Sequence, residues 1–198
     1  SFSIGFVIGP CLNATGRLDS TELSLGSLMA KSFEEAVPLA TTLKEYNANR
    51  KELTEKGVEK ALALLEEGEY DKDRVLVLYL PDVHESLAGI IAGRIREKTG
   101  KPTFVLTKGE EGVKGSARSI ENYHIYDEMT KCKQFFTKYG GHKMAAGLSM
   151  EEENVKLFRQ AINEKCVLTE DDFEEKITID VPMPFSYVTQ QFVDELSV

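Results

Sequence analysis

Two short stretches carry side chains suited to holding phosphate. One is Lys114-Gly115-Ser116-Ala117-Arg118-Ser119; the other is Gly140-Gly141-His142-Lys143-Met144-Ala145-Ala146-Gly147. Each sets small residues beside one strong anion-seeking group. Small residues let backbone N–H groups come close to a ligand. Arginine offers a planar fork of donors that fits phosphate, and histidine adds a donor that can become charged. Lys114 to Ser119 has no β-branched residue, so it reads either as a strand approached closely by a ligand or as a twisted edge strand with Arg118 in solvent. Gly140-Gly141-His142 reads as a tight turn, either an anion nest with His142 as phosphate donor or a hairpin turn with an exposed histidine. The ~20 residues between the stretches suffice for one helix, so both can line one face of a compact domain.

Other candidates are weaker alone. His84 stands where a helix begins, a place that favours anions, or it is a structural capping histidine. Asn13 and Arg17 flank Gly16 in what reads as a polar turn. His124 reads as a surface or capping histidine. No HxxxH or HxD pattern is present, and Cys11, Cys132 and Cys166 form no CxxC pair, which argues against a self-contained metal site or a disulfide framework. GxSxG, P-loop and GxGxxG patterns are also missing.

These residues sit in an acidic chain of 198 residues with net charge −9, a balance that disfavours nucleic-acid binding by the whole surface. The charge is uneven. From Val113 to Leu148 there are six basic residues (Lys114, Arg118, Lys131, Lys133, Lys138, Lys143) and three acidic ones, so that window is locally positive. This is either a binding face or chance clustering on a solvated one. No apolar run approaches the ~18–20 residues of a membrane span. The opening Ser1 to Pro10 lacks the features of a signal peptide and starts inside an apolar pattern, so it reads as a piece of something longer. A reducing cytoplasm is the expected compartment.

The elements that must position these groups follow from periodicity. Residues 1–19 read as a β-like run and then the polar turn Asn13 to Arg17. Asp19 or Ser20 is a candidate cap for a short helix to about Lys31. Pro38 is placed near the start of a long exposed helix, carrying Leu39, Leu43, Tyr46, Leu53, Leu62 and Leu65 and ending near Gly68. Val75 to Tyr79 reads as a buried strand. Asp82 with Glu85 resembles a capping box, opening a helix with Leu87, Ile90, Ile91 and Ile95 on one face. Its small residues Ala88, Gly89, Ala92 and Gly93 leave room for close packing. Strands are expected at Thr103–Thr107, Val113–Ser119 and about Lys143–Met150. Helices are expected near His124–Lys133 and at Glu151–Lys165, the latter with Val155, Phe158 and Ile162 inward. Ile177 to Val181 reads as a strand opening another unit. Strand–helix–strand order over 75–107 makes the fold class α/β.

Taken in order, Pro10 to Arg17, His84 to Arg94, Lys114 to Ser119 and Gly140 to Gly147 resemble the RecJ family of single-strand-specific exonucleases, within the DHH phosphoesterase superfamily. The Gly-Gly-His motif alone is shared more widely; the Asn-Ala-x-Gly-Arg segment and the His84 helix narrow the resemblance. It implies a DHHA1-type mixed sheet flanked by helices and preceded by a long connector helix. Residues 1–30 would be the tail of the DHH catalytic domain and 31–68 the connector helix. Residues 69–168 would be the DHHA1 substrate-binding domain, and 169–198 the start of a C-terminal OB-like domain.

The resemblance also implies a function: 5′→3′ hydrolysis of single-stranded DNA with Mn²⁺ or Mg²⁺ held by the DHH domain. The Asp-His-His motif of that domain is absent here, so no catalytic or metal residue is expected in this chain and the piece alone is expected to be inactive. Arg17, Asn13, His84, Ser116, Arg118, Ser119, Gly140, Gly141 and His142 would bind substrate phosphate. Single-stranded DNA is the implied partner, with a single-strand-binding protein or helicase as further candidates and no membrane. Two alternatives stay open: a DHH-family oligoribonuclease or nucleotide phosphatase, and a non-catalytic nucleic-acid-binding module.

Overall fold

Apolar alternation and glycine placement together explain the architecture. The computed structural model describes residues 2–18, 21–174 and 179–196. Among them the α-helices are α1 (Gly9–Leu18), α2 (Glu22–Met29), α3 (Phe33–Glu66), α4 (Ala88–Thr99), α5 (Ile125–Thr130), α6 (Asn154–Glu164) and α7 (Gln190–Leu196). The strands are β1 (Leu76–Tyr79), β2 (Thr103–Lys108), β3 (Val113–Arg118), β4 (Phe136–His142) and β5 (Ala145–Met150). They form one mixed sheet in the order β1-β2-β3-β5-β4. β1 and β2 are parallel, a pairing that needs a crossover, and α4 supplies it. Every other pairing is antiparallel. This is the α/β sheet with flanking helices and a long preceding helix that the sequence predicts.

Each sheet face buries its own core. Val77, Phe104, Leu106, Val113, Ala117, Leu148 and Met150 pack on one side against Met129 of α5 and Phe158 and Ile162 of α6. Phe158 meets Phe104 and Phe136 edge-on, at ring-centroid distances of 5.2 and 5.0 Å. Leu76, Leu78 and Val105 point the other way, onto Ile91 and Ile95 of α4 and Val58 and Ala61 of α3. Each such buried side chain stabilises the fold by ~1.5–3 kcal/mol. On this second face α4 lies over β2 and β3. Beyond it, Ala145, Gly147 and Ser149 of β5 are partly exposed, and Lys138, Gly140 and His142 of β4 are exposed.

Helix α3 runs 34 residues, ~51 Å at 1.5 Å per residue. It starts before Pro38 because Ser32 caps it, accepting a hydrogen bond from the Glu35 N–H at 3.2 Å. Pro38 lies inside the helix and costs only the bond to the exposed Glu34 carbonyl. Gly57 lets α3 reach α4: a Cβ there would sit 2.5 Å from Ile91 Cδ1.

Four expectations are corrected. The β-like run and polar turn at the N-terminus are helical, a wide π turn over Ser3–Ile8 leading into α1. Gly9 N–H reaches back to the Ile4 carbonyl across that turn, and Pro10 has no N–H to continue an α ladder. Ala14 and Thr15 are buried, and Asn47 of α3 donates to Cys11 Sγ, so packing holds α1 in place. The capping box at Asp82 does not form. Asp82 pairs with Lys60, while His84 caps the following turn by accepting from the Ser86 N–H. Gly140 and Gly141 are not in a turn; they lie within β4, and Lys143 and Met144 make the turn. Finally, Ile179 to Val181 is exposed and not a strand, while Ile177 and Thr178 lie outside the described residues, as do Asp19 and Ser20. No helix among the described residues is long and apolar enough to cross a membrane.

Candidate nucleic-acid interface

Strand register decides which candidates meet. Arg118 is paired with Ala145, and Ala145 with His142; Ser116 is paired with Gly147, and Gly147 with Gly140. Lys114 is paired with Ser149, and Ser149 with Lys138. Side chains alternate across a sheet, and Val113, Ala117, Leu148 and Met150 occupy the opposite core. All three rows therefore share the face on which α4 packs, and their β5 and β4 ends lie open beyond it. The middle row is nearly bare backbone: a Cβ on Gly140 would meet nothing within 4 Å, and one on Gly147 only the Gly115 carbonyl at 3.8 Å.

Arg118 is set against α4. A Cβ on Gly89 would lie 2.8 Å from its Nη2, and one on Gly93 4.0 Å from its Cγ. The small face of α4 thus makes room for a guanidinium. Arg118 Nη1 donates to the Ala117 carbonyl at 2.8 Å, and no carboxylate pairs with Arg118 among the described residues. Burial first, then the positive charges of Arg17 and Arg96, push its pKa down. A guanidinium stays protonated regardless, so the site holds positive charge that an anion would relieve.

Arg17 reaches the same region from α1. Its Nη1 donates to the Ser86 carbonyl at 2.9 Å. His84 Nδ1 lies 2.8 Å from Ser86 Oγ, so His84 joins the rim through its capping role. Asn13 is exposed one helical turn before Arg17, on the same side of α1. His142 is exposed at the end of β4. Its Nδ1 accepts from the Met144 N–H at 3.4 Å, which leaves Nε2 as an outward donor. Ser116 Oγ makes no hydrogen bond among the described residues and is partly exposed.

The remaining candidates are held elsewhere. Ser119 is buried, and its hydroxyl donates to the Tyr123 carbonyl at 2.5 Å. Gly141 faces β5: a Cβ there would sit 2.5 Å from the Ala145 carbonyl oxygen and 2.6 Å from Ala146 Cα. Sheet packing demands that glycine. No anion nest forms at Gly140-Gly141, because neither residue has positive φ. Lys114 is paired with Glu85 at 2.8 Å, which reduces its pull on an anion.

Sequence reasoning missed Arg50, Arg94 and Arg96. Burial, then Arg17 and Arg94, lower the pKa of Arg50, so these arginines extend one positive field around Arg17. The spacing of Gly89, Gly93 and Arg96 along one face of α4 is a signal that could have revealed Arg96.

Comparison with known proteins finds relatives in both sequence and fold. The DHHA1 domain family matches residues 72–168. The single-stranded-DNA-specific exonuclease RecJ of Escherichia coli is 39% identical over 170 residues, covering 81% of this chain and 29% of that protein. RecJ of Bacillus subtilis is 29% identical over 200 residues, covering 99% of this chain and 25% of that protein. The chain therefore spans less than a third of the length of these curated relatives. The crystal structure of Thermus thermophilus RecJ in complex with Mg²⁺ superimposes with a TM-score of 0.74 at 31% identity, over 82% of this chain and 25% of that one. RecJ of the same organism has also been solved with Mn²⁺. Among the described residues here, no group of three or more His, Cys, Asp or Glu could hold a metal ion, so these residues do not fit a divalent metal centre. Residues 72–168 match the DHHA1 domain family, and it is to the RecJ exonucleases that the chain is similar in both sequence and fold.

Proposed function

We propose that this chain is the substrate-holding part of a RecJ-like 5′→3′ single-stranded-DNA exonuclease. One observation carries the reading. Ser116, Arg118 and His142 share an open sheet face, and Arg17 arrives beside them from a separate helix. Arg118 offers a forked donor already set in place by Gly89 and Gly93. Preorganised donors of this kind hold a phosphodiester without reorganising as charge develops on it. Ser116 Oγ and His142 Nε2 would donate to other oxygens of the same strand. The relatives' names, single-stranded-DNA-specific exonuclease, support the substrate class.

In this reading residues 1–30 finish the DHH catalytic domain and 31–68 connect it to the DHHA1 domain at 69–168. Residues 169–198 open an OB-like domain. Mn²⁺ or Mg²⁺, bound outside these residues, would supply Lewis-acid activation of phosphate and water. This chain's own residues bind the strand and fix its register. A single-strand-binding protein or helicase would deliver substrate in the cytoplasm.

The test uses end-labelled single-stranded DNA with Mn²⁺. The full-length protein is expected to release nucleotides from long strands faster than from dinucleotides, and the 198-residue chain alone to release none. Nucleotide release by the isolated chain would overturn the division of labour. A preference for dinucleotides would point to an oligoribonuclease.

A further inference from the structure

We propose that the open sheet face is a track that grips a second phosphate at Lys138. The inference rests on the reading of Arg118 and His142 as phosphate ligands. Three facts place Lys138 on that track. It is paired across β5 with Lys114 through Ser149, so its side chain shares the face of Arg118, Ser116 and His142. It is exposed and, among the described residues, pairs with no carboxylate, whereas the nearby Lys114 and Lys143 are bound to Glu85 and Glu121. Between Lys138 and His142 lies Gly140, with nothing within 4 Å of where a Cβ would be. The strip thus has an unpaired lysine at one end and the His142 ring donor at the other, with open backbone between them.

Its dimensions suit a nucleic-acid strand. Four residues along β4 at ~3.4 Å each place Lys138 ~14 Å from His142. Adding two strand spacings of ~4.8 Å puts Arg118 and Lys138 roughly 17 Å apart, corner to corner. At the ~3.4 Å rise of stacked bases that distance holds several nucleotides, and fewer when the bases are unstacked. One phosphate at Arg118 and another at Lys138 then belong to different nucleotides of one strand. Lys114, neutralised by Glu85, does not provide this second grip, so Lys138 carries it. Phe136 and Tyr139 point to the opposite face, where they pack against each other at 5.5 Å, and take no part.

The track predicts a length dependence. Binding is measured on the full-length protein by fluorescence anisotropy, with metal withheld so that the strand is not cut. The probes are a 5′-phosphorylated thymidine dinucleotide and a 5′-phosphorylated oligothymidylate of about eight nucleotides. Lys138→Gln is expected to leave the dinucleotide unchanged and to weaken the longer strand about three- to tenfold. It should also flatten the slope of log K against log salt by about 0.7. Lys138→Arg should restore both. Gly140→Leu, which the empty space at that Cβ lets fold, should weaken the longer strand as well. If Lys138→Gln binds the longer strand like the unmodified protein at every salt concentration, the track is wrong. The underlying reading then stands, provided Arg118→Ala still loses both probes. If Arg118→Ala loses neither, it is the underlying reading that fails.

Discussion

Two partly buried arginines on opposite sides of the sheet are treated in opposite ways. Arg159 on α6 is fully met. Its Nε lies 2.6 Å from Asp73, its Nη1 2.5 Å from Glu69, and its guanidinium 3.8 Å from the centre of the Tyr70 ring. Burial pulls its pKa down, but the two carboxylates outweigh that and leave it raised. Arg118 is also partly buried but has no carboxylate among the described residues; its electrostatic neighbours are Arg17 and Arg96. The first arrangement closes on itself and joins α6 to the segment leading into β1. The second has no such partner among the described residues, and in the proposed reading a phosphate supplies it. The difference separates a cation that holds the fold from one that, in the proposed reading, holds a ligand, and it is visible in the partners rather than in the residue type.

Exchanging the two side chains for alanine sharpens the contrast. Arg118→Ala in the full-length protein should cost binding of single-stranded DNA about 2–3 kcal/mol, as loss of charge-assisted bonds to phosphate does. That is roughly thirty- to a hundred-and-fiftyfold in affinity, with the thermal midpoint unchanged or slightly higher. Arg159→Ala should do the reverse, lowering unfolding free energy by about 2 kcal/mol and leaving DNA affinity alone. That cost is discounted because Glu69 is largely exposed, whereas Asp73 is left partly buried without its partner. Chemical denaturation and anisotropy titration of both variants check the pair, and a matched loss of stability in Arg118→Ala would dissolve the contrast.

A smaller effect is expected at Gly89→Ala. The added methyl must displace Arg118 Nη2, which is the far end of a flexible side chain, so the fold should tolerate it and α4 gains up to about 1 kcal/mol in helix propensity. DNA affinity should fall several-fold, because the guanidinium is no longer pre-set. Unchanged affinity would mean that the seat on α4 does not position Arg118.

Much of this was legible from residue order, because β1 and β2 are short apolar runs buried on both faces. Val75 to Tyr79 and Thr103 to Leu106 were legible as strands from their shortness and β-branched content between turn residues, and the inward face of α6 from its helical apolar spacing. β4 was not. Its Gly140-Gly141 pair has the composition of a turn, and the reason for glycine at 141 is the approach of the Ala145–Ala146 backbone, a contact set by tertiary pairing. The N-terminal apolar run was ambiguous for a related reason: a short run fits strand or helix until packing chooses, and burial of Ala14 and Thr15 chooses helix. Of the phosphate-seeking residues, Arg118, Ser116 and His142 stood out by type and share one face. Ser119 stood out equally, yet its hydroxyl is spent on Tyr123. The spare room on α4 was evident from Gly89 and Gly93, but its occupant was not, because nothing local links them to Arg118.

Helix α3 acts as a long lever with its fulcrum near one end. It touches Ile91 of α4 at Gly57, and its first residue, Phe33, lies ~36 Å away along the axis at 1.5 Å per residue. One degree of tilt at that contact swings the far end by ~0.6 Å. Because α2 packs on that far arm, with Gly26 beside Leu39, a tilt of one degree becomes there a displacement the size of a hydrogen-bond tolerance.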